Sequence, residues 1–395
     1  MKKNIHFLDL GFQPLANNYL KYNQLNLKET KYRLKVGINP DTKLVSINKP
    51  ISSKIMFNNK YPYRSSMSKT MIKSFKDLSK LINLRFNPNK ILEIGSNDGS
   101  FIKNFSKKKV IGIEPCANVE KITKKLGFNT YPEYWNSTTA RKILKKNGKV
   151  DLIYSANTIS HIEDLDEVFK SLNIILDDHG VLIIEDPSLL ECLKKNTYDQ
   201  FYNEHIYVFS LIGLETILNK YNFEIFKVQN LKIHGGSNRY FIKKKINKRK
   251  ICESVKINRN KEINYGIQNI STYKAFAKRV KYSKKKLKEI FDKISIKKKK
   301  IIGYGVTAKS TTILNYCKIN GKLISYFVDT TKDKQNKYTP GTKIPIIKYQ
   351  GFIEKDVDFV FLGAWNFKEE IFKKEKKFIK RGGKFIIHTP IPKII

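Results

Sequence analysis

Between residues 90 and 187, apolar runs of strand length alternate with stretches of helical spacing, and this alternation constrains the fold more than any other feature of the chain. KILEIG, KVIGIEP, DLIYSAN and GVLIIEDP read as strands, with residues 100–107, 117–125 and 164–176 as the helices between them. Strands apolar on both faces and joined by helices belong to a parallel sheet covered on both sides. The expected class is therefore α/β, with a doubly wound sheet over residues 67–245, opened by a helix that carries Met71, Phe75 and Leu78 at three- and four-residue steps. Residues 1–66 are short apolar pieces broken by turns, with alternation in KYRLKVGI, and read as a small β-rich lobe. A Lys-rich helical stretch over 246–297 reads as a basic linker. KIIGYG, KLISYFVD, DFVFLGAW and KFIIH beyond it mark a second, smaller α/β domain over 298–395.

Composition narrows the class further. At roughly 150 residues per domain, 395 residues give two or three domains and exclude a single small binding module. With 41% apolar and 28% charged residues the chain can pack a core, and its composition is not that of a disordered protein. No run reaches the 18 or so apolar residues of a membrane helix, and Asp9 interrupts the opening MKKNIHFLDLGF before a signal-like segment forms, so the expectation is a cytoplasmic protein without a membrane partner. The net charge of +42 invites a polyanion partner. The lysines, however, run from Lys2 to Lys393 beside abundant Ile and Asn, which is compositional drift on solvated faces, and no nucleic-acid partner is expected. Cys116, Cys192, Cys252 and Cys317 lie far apart, without a CxxC pair, and read as reduced and structural.

The first strand ends in Glu93-Ile94-Gly95-Ser96-Asn97-Asp98-Gly99, where glycines let the backbone approach a ligand beyond the carboxyl end of the sheet. The next strand ends in Glu114, placed to accept hydrogen bonds from ribose hydroxyls. Geometry alone fits a dinucleotide or S-adenosylmethionine. The spacing lacks the GxGxxG phosphate cradle, which favours S-adenosylmethionine, with Glu93, Gly95, Asn97, Gly99, Glu114 and Asn157 as the cofactor-binding residues. GYGVTAKSTT also follows a strand and opens a helix. Asp329 at the end of the following strand leads into a long loop and does not make a convincing ribose acid.

Ten blocks in one order, LDLGFQPLANNYL, YPYRSS, ILEIGSNDGSF, GIEPCANV, SANTISHIEDL, YDQFYNEHIYVFS, HGGSNRYF, GYGVTAKSTTILNYC, KYTPGTKIPI and AWNFKEEI, resemble the nucleotide-sugar 3-C-methyltransferases, which act on dTDP-4-keto-deoxysugars. The resemblance implies three parts: a zinc-binding N-terminal lobe, a class I methyltransferase domain and a C-terminal Rossmann-like domain. One departure stands out. The family's lobe holds zinc through cysteine pairs, and here Asn39, Pro40, Asp41 and Thr42 occupy the second place while no cysteine precedes Cys116. These side chains do not replace thiolates at a structural zinc, so no metal is expected and the lobe should be held by its apolar residues or loosened.

C-methylation needs a base for a proton beside a ketone, and a neutral imidazole suits that task. By resemblance His205 is the base, with Tyr202 and Glu204 orienting it or the sugar. His161, at the end of SANTISH, would steady the enolate oxygen. Tyr63 of YPYRSS would line the substrate pocket, with Tyr61 as the fallback. In HGGSNRY, His234 marks a tight turn and Arg239 is a candidate for an anion, though a plain hairpin explains the segment equally well. Lys309 at a helix start would suit a phosphate of the nucleotide. The expected activity is methyl transfer to a carbon, C3 by resemblance, α to the ketone of a nucleotide-linked sugar, in the making of a surface polysaccharide or secondary metabolite. A same-fold O- or N-methyltransferase and a non-catalytic scaffold are the rival readings.

Overall fold

The computed structural model describes residues 3–395. The N-terminal lobe is a meander of β1 (Ile5–Pro14), β2 (Lys31–Ile38) and β3 (Val45–Ile47). In the central domain β4 (Ile91–Ile94), β5 (Val110–Ile113), β6 (Asn129–Tyr131), β7 (Val150–Ala156) and β8 (Leu176–Pro187) run parallel. The two-residue β9 (Tyr207–Val208) leaves this domain and pairs with β3, completing the lobe's sheet in the order β1-β2-β3-β9. An antiparallel pair, β10 (Phe223–Leu231) and β11 (Ser237–Lys244), extends the central sheet beside β8, giving the order β10-β11-β8-β7-β4-β5-β6. This is the class I methyltransferase arrangement, with the chain turning from one side of β4 to the other at β7.

The C-terminal domain repeats the plan. Its strands are β12 (Ile301–Tyr304), β13 (Phe327–Asp329), β14 (Lys337–Tyr338), β15 (Pro345–Lys348), β16 (Phe359–Leu362), β17 (Lys384–Ile387) and β18 (Lys393–Ile394). Their order is β14-β15-β13-β12-β16-β17-β18, so here the direction reverses between β12 and β16. In open α/β sheets the crevice at such a reversal, outside the carboxyl ends, is where ligands bind. Both crevices open into one cavity.

Two sequence expectations are corrected by packing. Residues 100–107 do not form a helix, only two single turns at Ile102–Asn104 and Lys107–Lys109. The Asn104 carboxamide bonds to the carbonyls of Ser100 and Phe101 (3.0 and 2.8 Å), taking acceptors that a continuing helix would need. Residues 246–297 are not a linker. Helix Glu253–Tyr265 presents the buried Glu262 to the N-terminus of helix Leu211–Lys220, accepting from the Leu211 and Ile212 N–H groups (2.8 and 3.0 Å). Helix Ile270–Ile296 buries Tyr273, Phe276, Val280, Leu287 and Phe291 in a core that includes Leu8, Leu34 and Val36 of the lobe and Ile313 and Phe327 of the C-terminal domain. Its lysines are the solvated face of a structural helix.

The lobe's β2–β3 turn sits where thiolates would stand. Asn39 Oδ1 accepts from the Asp41 and Thr42 N–H groups, both at 3.0 Å, and its Nδ2 donates to Asn4 Oδ1 (3.2 Å), while Asn4 Nδ2 donates to Ser46 Oγ (2.9 Å). A carboxamide that closes the turn in this way does not fit a zinc site, which calls for deprotonated sulfur or imidazole. A strong zinc chelator is expected to leave the thermal unfolding midpoint unchanged. Asn39→Ala, which deprives two N–H groups of their acceptor, should destabilise the chain by about 1–2 kcal/mol in urea titrations. A fall in the midpoint on chelation would overturn this account of the lobe.

Candidate active site

At the cofactor end, β4 is buried along its whole length and stops at Gly95. Gly95 has φ +77°, and a Cβ there would lie 2.1 Å from Thr158 Oγ1 of the loop after β7, so the close approach of the two loops demands glycine. The Gly95 and Ser96 N–H groups both donate to the Ile113 carbonyl (2.8 and 2.9 Å), which folds the loop over the end of β5. Glu114 is fixed there by two backbone donors, Asn97 N–H to Oε2 (3.0 Å) and Cys116 N–H to Oε1 (2.8 Å), and it lines the cavity. Glu93 is buried with Oε2 unpaired. Burial, with Asp98 and Glu114 adding repulsion, holds its carboxyl well above the usual range.

Gly95, Asn97 and Asn157 also line the cavity. The Asn97 side chain has a second task, because its Oδ1 accepts from Ser65 N–H (2.9 Å) while Asp98 Oδ2 accepts from Ser66 N–H (3.0 Å), tying the segment after YPY across the mouth. Gly99 serves the turn and is not a wall of the cavity. Its Cβ would meet Thr123 Cγ2 at 2.9 Å. The acid fixed for ribose hydroxyls, the unpaired Glu93 oxygen and a loop with Asp98 and no cationic side chain fit S-adenosylmethionine better than a pyrophosphate ligand.

The segment between β8 and β10 carries the next group. The short 3-10 helix Tyr198–Gln200 pins one end and β9 the other, so Phe201–Ile206 is held without a regular period of its own. His205, 4% exposed, places Nδ1 2.9 Å from the Gln200 carbonyl and Nε2 2.5 Å from the Tyr202 hydroxyl. A carbonyl only accepts, so Nδ1 carries the proton, Nε2 holds the lone pair and the tyrosine donates to it. His161 stacks on His205 (centroids 5.1 Å, 27° between planes) and on Phe57 (5.4 Å, 8°), with its Nε2 unpaired. Burial depresses both imidazoles, His161 to about 3 and His205 well below its ordinary value, so both are neutral at physiological pH.

Glu204 Oε1 accepts from Asn17 Nδ2 (2.7 Å) and Oε2 from the Tyr61 hydroxyl (3.1 Å), while burial pushes its carboxyl up to about 7. Tyr63, 41% exposed, lines the mouth, so Tyr61 rather than Tyr63 is the tyrosine joined to the Glu204 pair. Asn17, Tyr61 as a Glu204 partner, and Phe57 were not singled out from sequence. Asn17 and Tyr61 lie in blocks LDLGFQPLANNYL and YPYRSS, but nothing in a single chain tells which residue of a block reaches a site 187 positions away.

From the far side the C-terminal domain repeats the cofactor loop. Gly305 has φ +77°, and Asp329 accepts from Val306 N–H through Oδ2 and from Thr331 N–H through Oδ1, each at 2.8 Å. That is the same double tether as Glu114. Asp329 therefore ends its strand, as read from sequence, and faces the cavity as a fixed acid, a placement that its long following loop did not suggest. Lys309, at the start of helix Ala308–Cys317, donates to the His234 carbonyl (3.1 Å) and lies 5.3 Å from the Trp365 ring, with burial lowering it to about 8. His234 lines the same cavity at φ 52°, its Nε2 unpaired.

Arg239 is a correction. Only 3% exposed on the interior strand β11, it is not a wall of the cavity and its anion is internal: Nε and Nη2 reach Glu185 at 2.7 Å and Nη1 reaches Gln229 Oε1 at 2.9 Å. A guanidinium buried in a sheet requires such a carboxylate. The remaining residues of the two crevices and the histidine pair enclose one cavity of about 800 Å³.

Comparison with known proteins covers the chain in three pieces. Residues 63–228 match a family described as a methyltransferase domain, residues 232–392 one described as a C-methyltransferase C-terminal domain, and residues 2–57 one described as a putative zinc binding domain. C-methyltransferase NovU of Streptomyces niveus is 28% identical over 98% of this chain and 93% of its own length. Among solved structures, a methyltransferase from Anabaena variabilis aligns over 45% of this chain and 86% of its own (19% identity, TM-score 0.35). One from Clostridium acetobutylicum aligns over 44% and 91% (15%, 0.34).

Glu114→Ala removes the ribose acceptor and frees the two N–H groups it tethers, so calorimetry with S-adenosylmethionine should show affinity falling at least ~10-fold. Unchanged affinity would place the cofactor elsewhere. A chain that carries these parts in this order, and keeps its likeness to a C-methyltransferase from end to end, is an S-adenosylmethionine-dependent C-methyltransferase by activity.

Proposed function

We propose that the protein methylates C3, the carbon α to the ketone, of a nucleotide-linked 4-keto-deoxysugar. The observation that carries this reading is the tautomer of His205: with Nδ1–H committed to the Gln200 carbonyl, Nε2 is a neutral base at the centre of the cavity. Bound S-adenosylmethionine supplies an electrophilic methyl carbon at the Gly95–Glu114 crevice. The chain's own residues do the rest. Nε2 of His205 takes the proton from the carbon beside the ketone, and the electron pair left behind spreads onto the ketone oxygen.

In the free protein the Tyr202 hydroxyl occupies the Nε2 lone pair, and burial holds that phenol protonated far above its ordinary range. It turns to the enolate oxygen when the sugar takes its place. His161, neutral and with an unpaired nitrogen, offers a second donor without a competing charge. Glu204, once ionised, steadies the imidazolium that His205 becomes. Gly305 and Asp329 suit the nucleoside of the substrate and Lys309 its phosphates, which places the two ligands at opposite crevices of one cavity. The likeness to C-methyltransferase NovU over nearly its full length supports a carbon as the methyl acceptor.

Mass spectrometry of a panel of nucleotide keto-sugars incubated with methyl-labelled S-adenosylmethionine tests acceptor and position together. Deuterium wash-in at the α carbon, read without cofactor, should fall at least ~100-fold in His205→Ala. Exchange at the wild-type rate, or labelling on oxygen or nitrogen, would sink the proposal. The pH profile gives a separate check. Because both imidazoles are depressed, the rise of kcat/KM through about pH 7 should follow the ionisation of Glu204 and be absent in Glu204→Gln.

A further inference from the structure

Asp199 is the most deeply buried carboxylate of the catalytic segment, 0% exposed, and the mechanism above gives it no task. Every polar side chain that reaches it comes from the C-terminal domain. Trp365, after β16, donates Nε1–H to Oδ2 at 2.6 Å, and His388, after β17, brings Nε2 to 3.3 Å of the same oxygen. Lys309 contributes an attractive charge. The Trp365 ring is seated on the His234 turn, where a Cβ on Gly235 would lie 2.3 Å from it. The carbonyl of His234 accepts both from Lys309 Nζ (3.1 Å) and from the Gln200 carboxamide (2.7 Å). Residues 199 and 200 are thus fastened on one side by Trp365 and His388, and on the other by a turn that Lys309 and Trp365 hold in place.

Gln200 is the residue whose carbonyl sets the His205 tautomer. The Gln200 N–H donates to the Thr197 carbonyl (3.0 Å) within the single turn, so the direction of its own carbonyl is fixed by how that turn is seated, and Asp199 lies inside the turn, bonded to Trp365. We propose that Asp199 is a positioning residue through which the C-terminal domain aims the Gln200 carbonyl at His205 Nδ1, keeping the lone pair on Nε2. This deepens the reading of His205 as the base and rests on it. A buried carboxylate is costly unless hydrogen-bonded and faced by positive charge. Here all those partners belong to the domain proposed to anchor the nucleotide, so the base is set correctly only when that domain is docked.

The test reads the tautomer directly, without turnover. With ring-15N histidine in the full-length chain, long-range 1H–15N correlation distinguishes Nδ1–H from Nε2–H, and His205→Gln assigns the signals. The wild type should show His205 as the Nδ1–H form alone. Asp199→Ala, and Trp365→Phe, which removes one N–H donor but leaves a ring on Gly235, should convert the signal to a mixture of both forms. S-adenosylhomocysteine affinity should stay within about twofold of wild type, showing an intact central domain. Trp365→Phe carries the test if Asp199→Ala does not fold.

A wild-type protein in the Nε2–H form, or variants that bind S-adenosylhomocysteine and keep the pure Nδ1–H pattern, would overturn the proposal. Failure of the base assignment shows up separately, as deuterium exchange that survives His205→Ala, and leaves the tautomer readout standing.

Discussion

One hydrogen bond, from His205 Nδ1 to the Gln200 carbonyl, decides what the centre of this cavity can do. An imidazole buried against His161 and Tyr202 stays neutral, because charging it there is opposed by desolvation. A neutral imidazole still has two tautomers, and only one of them presents a lone pair to the cavity. The fold selects that tautomer with a backbone acceptor, a group that cannot itself donate or titrate. Much of the surrounding construction serves to keep the segment from Gln200 to His205 in the loop shape that makes this bond. The 3-10 turn fixes its start, and β9, paired to a strand more than 150 residues earlier, fixes the chain just beyond its end.

The two Rossmann-like sheets meet at their carboxyl ends, and each ends a strand with a carboxylate tethered by two N–H groups: Glu114 in the central domain and Asp329 in the C-terminal one. Tethering of this kind removes the side chain's rotational freedom before a ligand arrives, so less is lost on binding. The flanking chemistry then separates the two ends. Around Glu114 stand the buried Glu93 and Asp98, with one guanidinium, Arg64, favouring the Glu114 carboxylate, surroundings that suit a polyphosphate poorly. Around Asp329 stand Lys309 and Lys334, which attract one. The two ends of the shared space thus differ in local charge, although the molecule as a whole carries a large positive excess.

The central fold was legible because its strands are short, apolar on both faces and bounded by turn residues, and Gly95 and Glu114 are found from strand ends alone. The helix predicted over 100–107 failed for a local reason, the Asn104 side chain competing for carbonyls, which propensity does not reveal. The stretch 246–297 was misread because its runs of lysine drew more weight than the apolar residues set among them. Yet Tyr273, Phe276, Val280 and Leu287 are spaced for one face, and that face is buried. Arg239 was taken for an anion site because its partner Glu185 lies 54 residues away and only strand pairing brings them together. The same limit hid Asn17 and the Trp365–Asp199 contact, which depend on how three domains dock rather than on any local pattern.

Docking also explains how the lobe, which matches a family described as a putative zinc binding domain, is held without cysteines. A freestanding unit of about 60 residues buries too little surface to be secure without a metal or disulfide. This lobe is not freestanding. Leu8, Leu34, Val36 and Val45 belong to the same cluster as Phe276 of the long helix and Phe201 and Ile206 of the catalytic segment, and β9 supplies its fourth strand. The stabilisation a metal would give is replaced by burial against elements that are themselves fixed by the C-terminal domain. Asn17, which reaches Glu204 from the lobe, is held in register by the packing that also holds His205.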